Sequence, residues 1–378
     1  MTVAEHAVPF AAPVRLPADE PLAVDGVIPS DLTGVFLQAG AHPGRPAWPH
    51  AGSRALLSGV RFTGGTARRH RTADVPGVPL PTPPGTASGG PGAASFATPV
   101  RDPATGRWHT VATYPGLGVA EHLVAGPCGR IEESRSFTLD GAPMMPAIAL
   151  TERFVVIFDL PVVHHRAAAM MGSALPYRWR YDRPARVGLL PRQGGQTEPR
   201  WFPIAPCFVS EAVNAFQAGH RVVVDAVRHD RAYESASREP GEGAVHRWTL
   251  DLADGTAVER PLTGAMAAAT VDSRHAGRRH QFVFGTTPGG DAVVTRDLAA
   301  ETIRVRPLGP GVRAGRPVFV PRGTAEGHGW LVVATRDAAR RCGALLVLDA
   351  LHPDGEPQAV VHLPEAPPAA PYTAWLPA

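Results

Sequence analysis

The chain contains no lysine: all 37 of its basic residues are arginine. That absence excludes chemistry through a lysine Schiff base, and it excludes a phosphate loop built around a lysine. Cysteine is nearly as scarce. Cys128, Cys207 and Cys342 are an odd number with no CxxC pair, which fits a reducing cytosol better than a disulfide framework. Neither HExxH nor GxSxG is present. Charged residues make up only 19% of the 378, the net charge is +3, and no dense basic run carries interleaved aromatics. Nucleic acid is therefore not an expected partner. Long apolar runs are missing too. The longest, near Phe154 to Val163, is interrupted by Asp159 and Pro161, well short of a membrane span. Met1 to Leu16 shows no basic segment followed by an apolar one. A soluble, cytoplasmic protein is the expectation.

What is abundant is punctuation. Gly (40) and Pro (41) together exceed a fifth of the chain, too much for a helical bundle and suited to many short strands joined by turns. Hydrophobic residues, at 44%, are enough for a large packed core. Short apolar runs recur at Val155–Phe158, Val222–Val224, Gln281–Phe284, Val318–Val320, Trp330–Ala334 and Leu345–Leu348, each bounded by Gly, Pro or a polar residue. They predict an all-β sandwich, barrel or propeller. Trp248–Leu252, the turn Ala253-Asp254-Gly255 and then Ala257–Arg260 read as an antiparallel hairpin. Residues 73–95, nearly all Pro, Gly, Ala, Ser and Thr, read as a loop. His164 to Tyr181 favours a short helix, with Met170 and Met171 forming either an adaptable apolar surface or part of an ordinary packed face. Gly116-Leu117-Gly118 lacks the third glycine and the following helix of a dinucleotide loop. Chemistry read from these residues alone stops at a soluble all-β protein.

A series of short motifs goes further. Gly26 to Phe36 carries a P-x-x-L-x-G entry, Arg101 to Gly106 a DPxTG hairpin, and Ala120-Glu121-His122-Leu123 an internal strand. Pro143-Met144-Met145, Phe158-Asp159-Leu160-Pro161-Val162, Gly188-Leu189-Leu190-Pro191-Arg192 and Pro206-Cys207-Phe208-Val209 with Asn214-Ala215 follow in order. Val318-Phe319-Val320-Pro321-Arg322, Gly329-Trp330 and His362-Leu363-Pro364 with Trp375 complete the series. In this order the motifs resemble the carotenoid cleavage oxygenase family over nearly the whole length. The resemblance implies one domain over 1–378: a seven-bladed β-propeller with a short helical and loop cap over an apolar tunnel. The chain is short for that family, so one blade is expected to be reduced near residues 71–96.

The resemblance also implies Fe(II) on the propeller axis, held by four histidines and steadied by glutamates behind them. Carried over one by one, the four histidine positions fall on Thr98, Pro146, Glu211 and Tyr372. The glutamate positions fall on Ala267 and Arg316, and a stretch near the axis becomes Pro49-His50-Ala51-Gly52 onward. Fe(II) in such a site rests on neutral imidazoles, and this set offers none. The expectation is therefore an enzyme without metal or other cofactor: an isomerase, cyclase or lyase for an apolar, polyene- or polyketide-like small molecule. Glu211 and Tyr372 would be its catalytic pair, with Thr98, Pro146, His50 and Phe208 contacting substrate. A desolvated glutamate suits acid–base work near neutral pH, and a tyrosine can donate to a developing oxyanion. A ligand-binding pseudoenzyme is the alternative, with Glu211 paired to an arginine as filler. Residual iron-dependent cleavage of apocarotenoids comes third. Met170–Met171 leaves peripheral membrane contact open.

Overall fold

The computed structural model describes residues 20–40, 56–71, 95–114, 117–127, 129–173, 175–194, 198–235, 240–262, 266–365 and 372–378. All six apolar runs read from the sequence fall on strands, from Phe154–Asp159 through Arg221–His229, Phe282–Thr286, Val318–Pro321 and Gly329–Asp337 to Cys342–Asp349, with Gln281 just outside its strand. The predicted hairpin is the antiparallel pair Ala244–Asp251 and Ala257–Pro261, with Leu252 belonging to the turn. The DPxTG hairpin is built by Asp102, whose carboxylate accepts from Ala104 N at 3.0 Å and Thr105 Oγ1 at 2.8 Å. Gly106 completes it at φ 71°, a conformation that favours glycine.

Strands pair antiparallel into six sheets of four to six strands, with a two-stranded ribbon beside them. Each sheet is a local meander, so the chain moves round the molecule sheet by sheet. The first sheet is closed by the C-terminal strand Tyr372–Pro377 lying against Gly34–Gly40, and the sixth takes Val24–Gly26 onto Ala359–Leu363. Both chain ends thus lock the ring, the usual device of a β-propeller. The two-stranded ribbon and the six full sheets leave the seventh blade of the family pattern without a four-stranded sheet among the described residues.

Sheet faces pack on their neighbours through alternating apolar side chains. The third and fourth sheets bury Phe158, Leu189 and Phe202 against Val209, Val224 and Trp248. Similar clusters join the second to the third, the fourth to the fifth, the fifth to the sixth and the sixth back to the first. Each large side chain buried this way stabilises the fold by about 1.5–3 kcal/mol. Exposure also tells inner edges from outer ones. Ser95–Phe96, Ala149–Leu150 and Val318–Val320 are buried, whereas Thr302–Pro307 is almost wholly exposed. In these sheets the buried edge is turned inward.

The loop predicted for 73–95 stops short at its C-terminal end. Ser95 is already a buried strand residue paired with Thr113, and residues 73–94 lie outside the described residues. The predicted helix is real but short, Arg166–Met170, capped by His165, whose Nδ1 accepts from Ala168 N at 3.1 Å. Met170 and Met171 are about 80% exposed, so they form surface and not core. Behind them the ribbon Val162–His164 with Tyr177–Trp179 packs on Phe208 and Tyr233 and caps the axis. No helix among the described residues is long and apolar enough to cross a membrane.

Candidate functional site

Four positions singled out from the sequence meet in one cavity. Thr98, Pro146, Phe208 and Glu211 line a space of about 270 Å³, together with Ser210, His229, Tyr233 and Arg316. Val100, Ala147, Ile148, Ala212 and Pro240 supply the remaining walls. The loops carrying Thr98 and Pro146 are tied directly, Thr98 N donating to Pro146 O at 2.9 Å. His50 lies outside the described residues. Tyr372 opens the C-terminal strand opposite Ala39, and its side chain is outside the described set. Its neighbour Thr373 donates from Oγ1 to Arg316 O at 3.3 Å, which sets that strand beside the Arg316 wall.

A strand alternates its side chains between two faces, yet Ser210, Glu211 and Ala212 all line the cavity. The register explains this. Val209 pairs with Arg228 but Glu211 pairs with Val227, so Ser210 is an extra residue in the Phe208–Ala218 strand, and a second bulge follows between Ala212 and Asn214. Bulges re-aim side chains in this way next to functional sites. Val209 meanwhile stays wholly buried between sheets.

Glu211 is paired to an arginine, the arrangement weighed as the alternative to a free acid. Its Oε2 is ion-paired with Arg316 Nη2, so the carboxylate is not an isolated acid in an apolar hole. Arg316, expected to stand where the family keeps a carboxylate, is instead the partner of the new one. Its Nε is buried with no hydrogen-bond acceptor among the described residues.

Two residues that sequence reasoning missed complete the polar wall. His229 Nδ1 lies 2.6 Å from Gly241 O and must donate to it, which leaves Nε2 as acceptor for the Ser210 hydroxyl at 2.8 Å. Burial lowers the pKa of His229, against a smaller opposite effect of the Gly241 carbonyl, so the ring is neutral near pH 7. The ring fits because residue 243 is glycine: a Cβ there would stand 2.4 Å from His229 Cε1. Phe208 packs edge-on against Tyr233 with centroids 5.6 Å apart, and Tyr233 holds φ at 55°, costly for a bulky residue. Trp179 N donates to Tyr233 O at 3.1 Å and links this residue to the cap.

These residues do not fit Fe(II). Thr98 is a weak donor, Pro146 has no donor atom in its side chain, and Glu211 is committed to a guanidinium. His229 is the imidazole on the wall, and both its nitrogens are engaged. No group of three or more His, Cys, Asp or Glu suited to a metal occurs among the described residues.

The sequence model of the retinal pigment epithelial membrane protein family, RPE65, matches residues 81–377. The chain belongs to this family. A carotenoid cleavage oxygenase of Mycobacterium tuberculosis is 29% identical over 347 residues, covering 74% of this chain and 68% of that protein. An apocarotenoid-15,15'-oxygenase of Synechocystis is 26% identical over 254 residues, 60% of this chain and 51% of that protein. Among solved structures, a lignostilbene dioxygenase of Pseudomonas brassicacearum superposes with a TM-score of 0.81 at 20% identity, over 98% of this chain and 99% of that one. At that identity the likeness speaks for the fold. The propeller and the family resemblance read from the motifs are both borne out.

Proposed function

We propose that this RPE65-family chain is a metal-independent enzyme that isomerises, cyclises or eliminates within an apolar small molecule of polyene or polyketide type. The observation that supports this reading is the cavity itself: three of the four positions expected to carry iron ligands meet there as Thr98, Pro146 and Glu211, in apolar walls with one ion pair. Names of relatives point to carotenoids and apocarotenoids as the substrate class. At about 270 Å³ the cavity matches the low end of small-molecule sites, so it holds one ring or one end of such a molecule while the rest extends through the mouth. Apolar walls of Phe208, Ile148 and Val100 fold and desolvate that end, and Glu211, with Tyr372 on the strand beside Arg316, moves protons on it.

The test uses protein stripped with a chelator and incubated with an all-trans apocarotenoid. A product of unchanged mass, or one lighter by an eliminated small molecule, formed without added iron or gain of oxygen and slowed about a hundredfold in Glu211→Gln, is the expected result. A product that gains oxygen only when Fe(II) and O2 are supplied would overturn it. The Glu211–Arg316 pair favours a second reading, capture of a ligand without turnover, because the carboxylate already has a partner. Saturable quenching of protein fluorescence, with the ligand recovered unaltered, would select that reading.

A further inference from the structure

Ser210 and His229 form an arrangement that the acid–base reading of Glu211 does not use. The Ser210 hydroxyl meets His229 Nε2 at 2.8 Å, and the Gly241 carbonyl holds Nδ1 at 2.6 Å. Nucleophile, base and orienting group thus stand in hydrogen-bonded series, the geometry that an activated hydroxyl requires. Position alone would not make this a site, since a buried serine often satisfies a buried histidine. Three further features point outward. Both side chains line the cavity. A bulge, and not regular strand alternation, turns Ser210 toward it. Arg316 lines the same cavity with a buried Nε–H that has no acceptor among the described residues. The guanidinium is paired with Glu211 through Nη2, and Nε is its donor left without a partner beside the cavity.

We propose that Ser210 is a nucleophile, with His229 as its general base, and that this cavity hydrolyses small apolar carboxylic esters. Ser210 Oγ adds to the ester carbonyl carbon as its proton passes to His229 Nε2. The alcohol leaves with that proton and the acyl group stays on Ser210. Water, deprotonated by the same nitrogen, then attacks the acyl carbon, and the acid departs as Ser210 recovers its hydrogen. Ester and water become acid and alcohol, with no change of oxidation state. Arg316 stabilises the negative charge that develops on the carbonyl oxygen. Val100, Ile148, Phe208 and Tyr233 make the acyl pocket.

This activity does not rest on the polyene reading, since its test uses no polyene. Native protein is treated with an alkyl fluorophosphonate, from which the serine oxygen displaces fluoride, and is then weighed intact and mapped by tandem mass spectrometry. The expected result is one phosphonyl group per chain, located on Ser210, with labelling and hydrolysis of p-nitrophenyl butyrate both lost in Ser210→Ala. His229→Gln, which keeps polarity but cannot take the proton, slows labelling about a hundredfold. Circular dichroism and melting checks show that both variants are folded, and the adduct map of the native chain decides even where a variant is not. Native protein that stays unlabelled, or an adduct on any other residue, overturns the proposal. So does ester hydrolysis that persists in folded Ser210→Ala.

Discussion

One hairpin, Phe208–Ala218 with Arg221–His229, carries two polar clusters that teach different things. At its middle, Asn214 and Asp225 sit opposite each other in register. Asp225 is fully buried, takes both Nε and Nη2 of Arg247 at 2.7 Å, and lies 3.1 Å from His280 Nε2. Asn214, the chain's single asparagine, donates to His280 Nδ1 at 2.9 Å and accepts from Gly277 N at 2.9 Å. Burial works against the charged form of Asp225, yet Arg247 and His280 outweigh it and hold the carboxyl below its ordinary pKa. Toward the start of the same hairpin Ser210, Glu211 and His229 also have partners, but they border open space and an arginine Nε–H without an acceptor among the described residues. Asp225 and Asn214, buried with their charge and hydrogen bonds matched, fasten the sheets together, although Arg247 and His280 beside them also border a separate cleft. Polar groups enclosed on one side only, with a cavity on the other, are equipped to meet a ligand.

The comparison is broken most forcefully at Asp225. Asp225→Ala leaves Arg247 and His280 buried without their shared anion, which costs about 3–5 kcal/mol of stability. Denaturant titration should show the unfolding free energy falling by that amount, and a change below about 1 kcal/mol would mean the cluster does not fasten the sheets. A buried histidine pair in the second sheet ranks next. His122 accepts from Arg135 Nη2 through Nδ1 at 3.3 Å, and its Nε2 meets His109 Nδ1 at 3.0 Å. Burial, reinforced by nearby arginines, lowers His109 to about 4; burial, with His109 and Arg135 adding to it, lowers His122 to about 3. Both rings are neutral in the fold, whereas in the unfolded chain they charge near pH 6.5. The unfolded state therefore binds more protons, and stability present above pH 6.5 is lost as pH falls toward 4. By pH 5.5 the loss is about 1.4 kcal/mol for each ring. The double variant His109→Leu/His122→Leu should lack that part of the pH slope.

Sequence patterns exposed the fold well because strands in this chain are apolar runs cut by Gly, Pro and Asp, and because the DPxTG and P-x-x-L-x-G turns are built from residues adjacent in sequence. Thr98, Pro146, Phe208 and Glu211 were legible only through motif order, and the cavity does gather them. What stayed hidden depends on register. A plain count outward from the Ala218–Arg221 pair sets Ser210 opposite His229, and with both bulges the observed partner is Phe208. Either count keeps Ser210 near the histidine, so the signal existed in hairpin arithmetic, not in any spaced motif. The Glu211–Arg316 pair had no local signal at all. It joins residues 105 positions apart, and with 37 arginines composition gives no reason to choose one.

The smallest change sharpens the contrast furthest. Gly243→Ala adds one methyl group at the back of His229, where its Cβ would stand 2.4 Å from Cε1 and 2.7 Å from Nε2. The ring must shift, and with it the hydrogen bond to Ser210, while Asp225, Arg247 and His280 keep their packing. Overpacking of this kind costs about 1–3 kcal/mol, less than the loss at Asp225. Reaction of Ser210 with a fluorophosphonate should nevertheless fall at least tenfold, because a nucleophile and base displaced by an ångström lose much of their advantage. Asp225→Asn, which keeps the shape of its cluster, supplies the control for lost stability alone. Equal labelling in Gly243→Ala and the native chain would show that His229 does not position Ser210, and the cavity end of the hairpin would then be as purely structural as its middle.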